Sequence, residues 1–328
     1  MIFLRERIGK LLRDLEGLIY TDETPVSGFR YVQSAEKFPD VSKVNTDDWA
    51  YCDRYPMSWG GHRAYYWFET FVTIPEEMDG QCIVYEQMTG KEDGWDATNP
   101  QFTIYVNDVL KQGLDINHRE VLLTEHAKAG ERYRIMLSAF TGDHNMNLVL
   151  DARIKVLHRE TEKYYYDLKM PYDTACLLRE SDTEYRDIIL NLNESLNLLD
   201  LRKPYSDAYE KSLKAAQDYL DQEFYERYAG VARQKVYCVG HTHIDVAWKW
   251  TLAVTEDKAV RSFSTVLELM RRYPEYKFMS SQPQLYKYVK KNAPQVYEEI
   301  KERVKEGRWE TEGGMFLEAD CNLTSGES

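Results

Sequence analysis

Apolar positions along this chain change their period more than once, and each change marks a structural region. From Tyr65 the spacing is short. YYWFETFVTI is aromatic and β-branched and stops at Pro75, and QCIVYEQM follows. FTIYV (102–106) alternates into the turn pair Asn107–Asp108, VLKQG resumes after it, and RYRIMLSAF comes next. Leu148, Leu150, Ala152, Ile154 and Val156 then alternate with more polar partners. Short strands separated by turn signals predict an antiparallel β-sandwich over residues 23–160. Within it, residues 20–60 show no sustained period and read as irregular.

Beyond residue 160 the spacing becomes helical. Ile188, Ile189, Leu192, Leu196 and Leu199 fall on one face, Pro204 interrupts, and SDAYEKSLKAAQDYLDQEFYERY resumes. A helical linker is expected over 161–232. At the other end of the chain, Ile8, Leu11, Leu12, Leu15, Leu18 and Ile19 share a helical face, which predicts an amphipathic docking helix within residues 1–22. From Lys235 strands and helices alternate. KVYCVG reads as a buried strand. A helix carrying Val260, Phe263, Val266, Leu267 and Met270 runs up to Pro274, and YKFMSS is a second strand. QPQLYKYVKK and PQVYEEIKERVKEG are helical, and RWETEGG opens a third strand. That alternation implies a parallel sheet, so residues 233–328 are read as the first part of a barrel-like α/β domain.

Charge and cysteine usage narrow the function classes. The chain has 328 residues, with 42 basic against 55 acidic side chains and a net charge of −13. Such a surface repels phosphate backbones, so a nucleic-acid partner is not expected. No apolar run is long enough for a bilayer, and the charges that follow the first four residues do not fit a secretory signal. A membrane partner is not expected either. Five cysteines without a CxxC pair fit a reducing compartment, which points to the cytoplasm. The sequons at Asn193 and Asn322 then read as chance matches.

The chemistry concentrates at predicted strand ends. Parallel α/β folds bind ligands at the carboxyl ends of their strands. VGHTHIDVAWKW (239–250) leaves the first strand, Ser281–Gln282 leaves the second, and EGGMFLEADCN leaves the third. His243 and Asp245 are one residue apart, so both can reach one ion through imidazole nitrogen and carboxylate oxygen. His241 has the same parity and can be a third ligand or a group that orients one. The bland alternative is a loop with histidines bonded to backbone. Trp248 can offer a ring face to a sugar or simply fill a core, and Trp250 is not taken as a site residue. Asp320 is the best carboxylate at the third rim, able to bind a metal with one oxygen and attack with the other. Glu310 and Glu312 read as surface acids, Glu318 is left undecided, and Cys238 reads as core. His62 and the run DINHRE (115–120) read as turn or surface features.

GHTHIDVAW, SSQPQLY and IKERVKEGRWETEGGMFLEADCNLTSGES together resemble the α-mannosidases of glycoside hydrolase family 38, in particular their cytosolic and bacterial branch. The preceding β region and helical linker resemble that branch's N-terminal part more weakly. The resemblance implies a retaining exo-α-mannosidase acting on oligosaccharides with a catalytic divalent ion, usually zinc and in some members cobalt. It implies that His243 and Asp245 are metal ligands, and that Asp320 is the nucleophile and also binds the ion. Trp248 would stack on the sugar, and His241 would sit outside the ligand set. A retaining glycosidase needs its nucleophile and acid/base carboxyls about 5–5.5 Å apart.

Family members continue well past the point reached by Ser328. The general acid and a last metal-binding histidine are therefore expected outside these residues, and the 328-residue chain alone is expected to be inactive. A homodimer is a further expectation. Two other classes fit parts of the pattern. A metal-dependent amidohydrolase or deacetylase also places HxH after a first barrel strand. A non-catalytic carbohydrate-binding β-sandwich with a helical appendage would bind sugar without metal.

Overall fold

The computed structural model describes residues 3–38, 40–88, 100–142, 146–229, 235–312 and 315–318. It opens with α1 (Leu4–Glu16). Strands follow: β1 (Tyr20–Pro25), β2 (Phe29–Gln33), β3 (Ala50–Cys52), β4 (Met57–Gly61), β5 (Tyr65–Thr73) and β6 (Ile83–Met88). Next come β7 (Gln101–Val106), β8 (Val109–Leu114), β9 (Glu120–Thr124), β10 (Arg132–Phe140) and β11 (Met146–Leu157). Helices α2 (Arg159–Leu177), α3 (Thr183–Leu198) and α4 (Asp207–Tyr219) continue the chain, with a π-helical stretch at Leu220–Glu226. The last part is β12 (Gly240–His241), α5 (Leu252–Arg272), β13 (Phe278–Met279), α6 (Pro283–Asn292), α7 (Pro294–Lys305) and β14 (Trp309–Glu310). No helix among the described residues is long and apolar enough to cross a membrane.

By contact the chain forms two compact units. One gathers residues 1–23, 81–83 and 155–236, and the other gathers 24–80, 84–154 and 237–328. The first unit is helical. Ile8, Leu12 and Leu15 of α1 are buried, which is the face the sequence periodicity marks. Its interior is stitched by polar contacts. Tyr164 on α2 meets Ser195 on α3 at 2.8 Å, and Ser195 also donates to the carbonyl of Ala216 on α4 at 2.8 Å. Asn193 is buried on α3 and accepts from Arg7 of α1. A buried, bonded amide is not an open glycosylation acceptor.

The second unit holds most of the β-sheet residues and the α/β segment. One sheet has the order β3-β2-β5-β10-β7-β8, with antiparallel neighbours throughout. Leu137 on β10 sits opposite Phe68 on β5 and Ile104 on β7. The second sheet runs β1-β11-β6-β9, with β4 pairing β11 antiparallel. Trp59 of β4 packs edge-on against Phe68 at 5.4 Å and lies 5.3 Å from Phe102 of β7. These rings join the two sheets into the expected sandwich.

Residues 20–60, read from the sequence as irregular, contain β1 to β4. These strands are short and their apolar residues do not alternate for long enough to show a period. The coil after β2 also has work to do. Trp67 on β5 donates its indole N–H to the Glu36 carbonyl at 2.9 Å and packs 4.9 Å from Phe38. On the same face Glu69, itself buried, accepts from Arg134 at 2.7 Å and from Thr46 at 2.5 Å. The coil therefore roofs the outer face of the six-stranded sheet, which leaves all of Trp67, Phe68, Glu69 and Thr70 buried.

Helix α5 lies against β8. Leu110 shares a core with Ala259, Phe263 and Leu267, and the backbone N–H of Gly113 donates to the Thr265 hydroxyl at 3.0 Å. The approach depends on glycine. A Cβ at Gly113 would lie 2.9 Å from the Cβ of Arg261, an atom fixed to the helix backbone. Gly113→Ala is expected to lower stability by about 1–3 kcal/mol, the usual cost of overpacking. A fall in the urea midpoint of Trp fluorescence would show it, and an unchanged midpoint would mean that α5 can shift freely.

The α/β segment forms a three-stranded parallel sheet in the order β12-β13-β14. Its helices cover it with Phe263, Leu285, Val289, Val296 and Ile300, all buried against Phe278 and Trp309. The alternation of strands and helices read from the sequence is present. The first strand is shorter than expected, because only Gly240–His241 pair with β13. β13 is itself two residues long, so the ladder extends no further. Residues 235–239 lie outside it, Val236 and Tyr237 are exposed, and Cys238 is exposed rather than core.

Candidate active site

The site is built at the carboxyl ends of the three parallel strands. After β12 burial alternates along the chain and sorts the side chains. Ile244 turns into the core, at 4% exposure, while its neighbours His243 and Asp245 face outward together. The His243 Nε2 lies 3.2 Å from Oδ1 of Asp245. Its other ring nitrogen, Nδ1, lies 3.0 Å from Oε2 of Glu318, which follows β14. His243 is thus flanked by a carboxylate on each side. The segment after β13 locks this arrangement. Gln282 is buried, with a left-handed backbone (φ 64°), and donates its side-chain N–H to the Ile244 carbonyl at 3.1 Å. Its side-chain oxygen accepts from the backbone N–H of Glu318 at 3.3 Å, and Ser281 donates its hydroxyl to the Glu318 carboxylate. All three rim segments are therefore joined by hydrogen bonds.

His241 lies on the ladder itself and donates from Nδ1 to the Met279 carbonyl at 3.0 Å. Its ring is tied to the second strand. Asp320, the remaining acid singled out by sequence, lies outside the described residues, as do Gly313, Gly314 and Cys321.

Could these residues hold a divalent ion? Two ligand atoms about 2.0–2.2 Å from a tetrahedral ion lie roughly 3.3–3.6 Å from each other. The 3.2 Å between His243 Nε2 and Asp245 Oδ1 is close to that edge. The pair fits an ion as two of its ligands. Among the described residues, no three His, Cys, Asp or Glu side chains converge as a metal site. Glu318 does not complete one, because it lies on the opposite ring nitrogen.

A cavity of about 340 Å³ adjoins this rim. His241, His243 and Trp250 line one part of it, and Gln101, Asp115 and His118 of the sandwich line another. Asp115 and His118 were read as a turn, and they do form one. The Asp115 carboxylate accepts from the N–H groups of Asn117 and His118, both at 2.8 Å, and meets the His118 ring at 3.1 Å. Burial pushes the Asp115 carboxyl up, but these donors outweigh it and hold it below the usual value. The turn also faces the cavity.

Trp250, set aside in the sequence, lines the cavity with Lys258 4.5 Å over its ring and its N–H bonded to Thr255 at 3.1 Å. Trp248 is not among the lining residues. It is 53% exposed and meets Trp250 edge-to-face at 5.5 Å. Sequence reasoning placed Gln282 at the rim by its position after a strand, but it missed Gln101 and Arg261, which carried no signal.

Residues 233–328 match the profile described as "Glycosyl hydrolases family 38 N-terminal domain". That stretch is similar to the N-terminal domain of this family. Relatives extend the likeness upstream of it. "Alpha-mannosidase G" of Dictyostelium discoideum is 28% identical over 99% of this chain and 30% of its own length. Human "Alpha-mannosidase 2C1" is 28% identical over 80% of this chain and 26% of its own length. A Saccharomyces cerevisiae "Alpha-mannosidase" is 35% identical over 39% of this chain and 11% of its own length. The chain thus spans less than a third of each of these relatives. The whole rim described above, from His241 to Glu318, falls inside the matched residues.

Proposed function

We propose that this chain carries part of the active site of a metal-dependent, retaining exo-α-mannosidase that removes terminal α-mannosyl residues from oligosaccharides. The observation that carries the reading is the pairing of His243 Nε2 with Asp245 Oδ1 at 3.2 Å, at the carboxyl end of a parallel sheet within the residues that match family 38. His243, Asp245 and Asp320 would hold the ion, zinc or cobalt. When bound, it supplies a Lewis acid able to take two vicinal sugar hydroxyls and fix the ring's orientation. The Asp320 carboxylate is the nucleophile. It bonds to the anomeric carbon as the glycosidic oxygen leaves, and water later releases the sugar with net retention. The leaving oxygen takes its proton from a general acid that we assign to no residue of this chain. Trp248, with its ring largely exposed beside the rim, provides an apolar face for the mannosyl ring. His241, held on the Met279 carbonyl, shapes the rim without binding the ion. A cytoplasmic setting is consistent with Cys52, Cys82, Cys176 and Cys238 standing outside any disulfide.

The test is hydrolysis of a chromogenic α-mannoside by the full-length product of this gene. Dialysis against a chelator is expected to remove turnover, and zinc or cobalt is expected to restore it. Activity that survives complete chelation would remove the metal from the mechanism. No turnover of any mannoside with either metal would overturn the mannosidase reading and redirect the search to amide and ester substrates.

A further inference from the structure

The Glu318 side chain has no role in the chemistry above, yet its two carboxylate oxygens meet Ser281 and His243. We propose that Glu318 is the positioning residue for His243, fixing the imidazole with its proton on Nδ1 and so presenting the Nε2 lone pair beside Asp245. This inference rests on the metal-site reading. A neutral imidazole carries one N–H, and it can bind a metal only through the other nitrogen. The 3.0 Å contact of Nδ1 with Glu318 Oε2 gives that proton a charged acceptor. The ring is then left with Nε2 free of hydrogen, 3.2 Å from the Asp245 oxygen. A carboxylate on the far nitrogen also makes the near one a stronger donor to a cation.

The surroundings show that Glu318 is placed, not merely nearby. Ser281 donates to its other oxygen, Oε1, which leaves Oε2 for His243. Gln282 grips the backbone N–H of Glu318 and, through its own N–H, the carbonyl of Ile244 next to His243. One buried amide therefore sets the distance between the loop that carries the imidazole and the loop that carries its acceptor.

The experiment uses the full-length product with zinc affinity as the readout, measured by competition with a chromogenic chelator. Glu318→Ala is expected to raise the zinc Kd by about 10–100-fold, the usual loss when a ligand's hydrogen-bond partner is removed. Glu318→Gln keeps an oxygen that accepts the Nδ1 proton, so it should recover most of that loss. A merely structural role would show no such rescue. Should the alanine variant fold poorly, Ser281→Ala removes one hold on Glu318 and is expected to weaken zinc by a smaller, several-fold step. His243→Ala is the reference. If it binds zinc as the unaltered protein does, the metal-site reading falls and this inference falls with it. If His243→Ala loses zinc while Glu318→Ala stays within about threefold of the unaltered protein, below the range expected for such a partner, only the inference is overturned. Equal losses in the alanine and glutamine variants would overturn it too.

Discussion

Asp245→Asn in the full-length product is expected to weaken zinc by more than about 100-fold, beyond the loss that follows removal of a hydrogen-bonding partner, and to abolish α-mannoside turnover with it. The substitution is nearly isosteric. Its side chain fills the same space beside the His243 ring, so the loop has no steric reason to move. What it removes is the charge, and a dication held by one imidazole and one neutral amide loses most of its attraction there. The His243–Glu318 contact should persist, because it uses the other ring nitrogen. Far-ultraviolet dichroism and the urea midpoint should therefore match the unaltered protein while affinity and turnover collapse together. Zinc affinity within tenfold of normal would show that Asp245 is not a ligand. A lost turnover with intact affinity would move Asp245 from metal binding to substrate contact.

The second large effect concerns the packing beneath the rim. Trp309→Ala is expected to destabilise the α/β segment by about 3–5 kcal/mol, the range for emptying a buried aromatic site. Trp309 is 2% exposed and packs 4.6 Å from Phe278 on the neighbouring strand and 5.2 Å from Phe263 on α5. Its indole N–H also donates to the Tyr286 hydroxyl at 2.8 Å, and that hydroxyl donates to the Ser280 carbonyl at 2.5 Å. Burial pushes the Tyr286 phenol up to about 12, so it stays protonated as that donor across the usual pH range. Alanine would leave a cavity between two strands and a helix and strip the phenol of one partner. Trp309→Phe keeps much of the volume and loses only the N–H, so it should cost less, about 1–3 kcal/mol. A shift in the urea midpoint separates the two variants. Equal, small shifts would mean that the three rings do not form one cooperative core.

Much of the fold was legible because burial leaves a periodic trace. β10 and α5 are examples: RYRIMLSAF forms a strand over its full length, and Val260, Phe263, Val266, Leu267 and Met270 fall on the apolar side of one helix. What escaped had no such trace. β1 to β4 are brief, and the coil between β2 and β3 contributes single residues such as Phe38 and Glu36 to a roof whose partners lie on β5. KVYCVG misled for the opposite reason. It has the composition of a buried strand, but ladder pairing depends on the neighbour, and β13 offers two residues. The same division runs through the site. The spacing of His243 and Asp245 predicted that they face one way, and they do. Glu318 could not be assigned from spacing, since its position is defined by Gln282 and Ser281, residues of another strand end. Gln101 and Asp115 meet the histidine rim only through the docking of α5 on β8, a contact no local pattern announces.

That docking has a consequence for the order in which the molecule is made. Gly113 and Thr265, which bond across it, are 152 residues apart in sequence. A ribosome adding about 5–20 residues per second needs roughly 8–30 seconds to cover that distance. Through that interval Leu110 and its neighbours have emerged and the helix that will shelter them has not been synthesised. The helical unit, encoded in between, acts as a delay line. A nascent chain of this protein therefore carries a waiting sticky strand next to a sheet edge. Demand for chaperones should rise when translation stalls between β11 and α5, and fall when the codons there are read quickly.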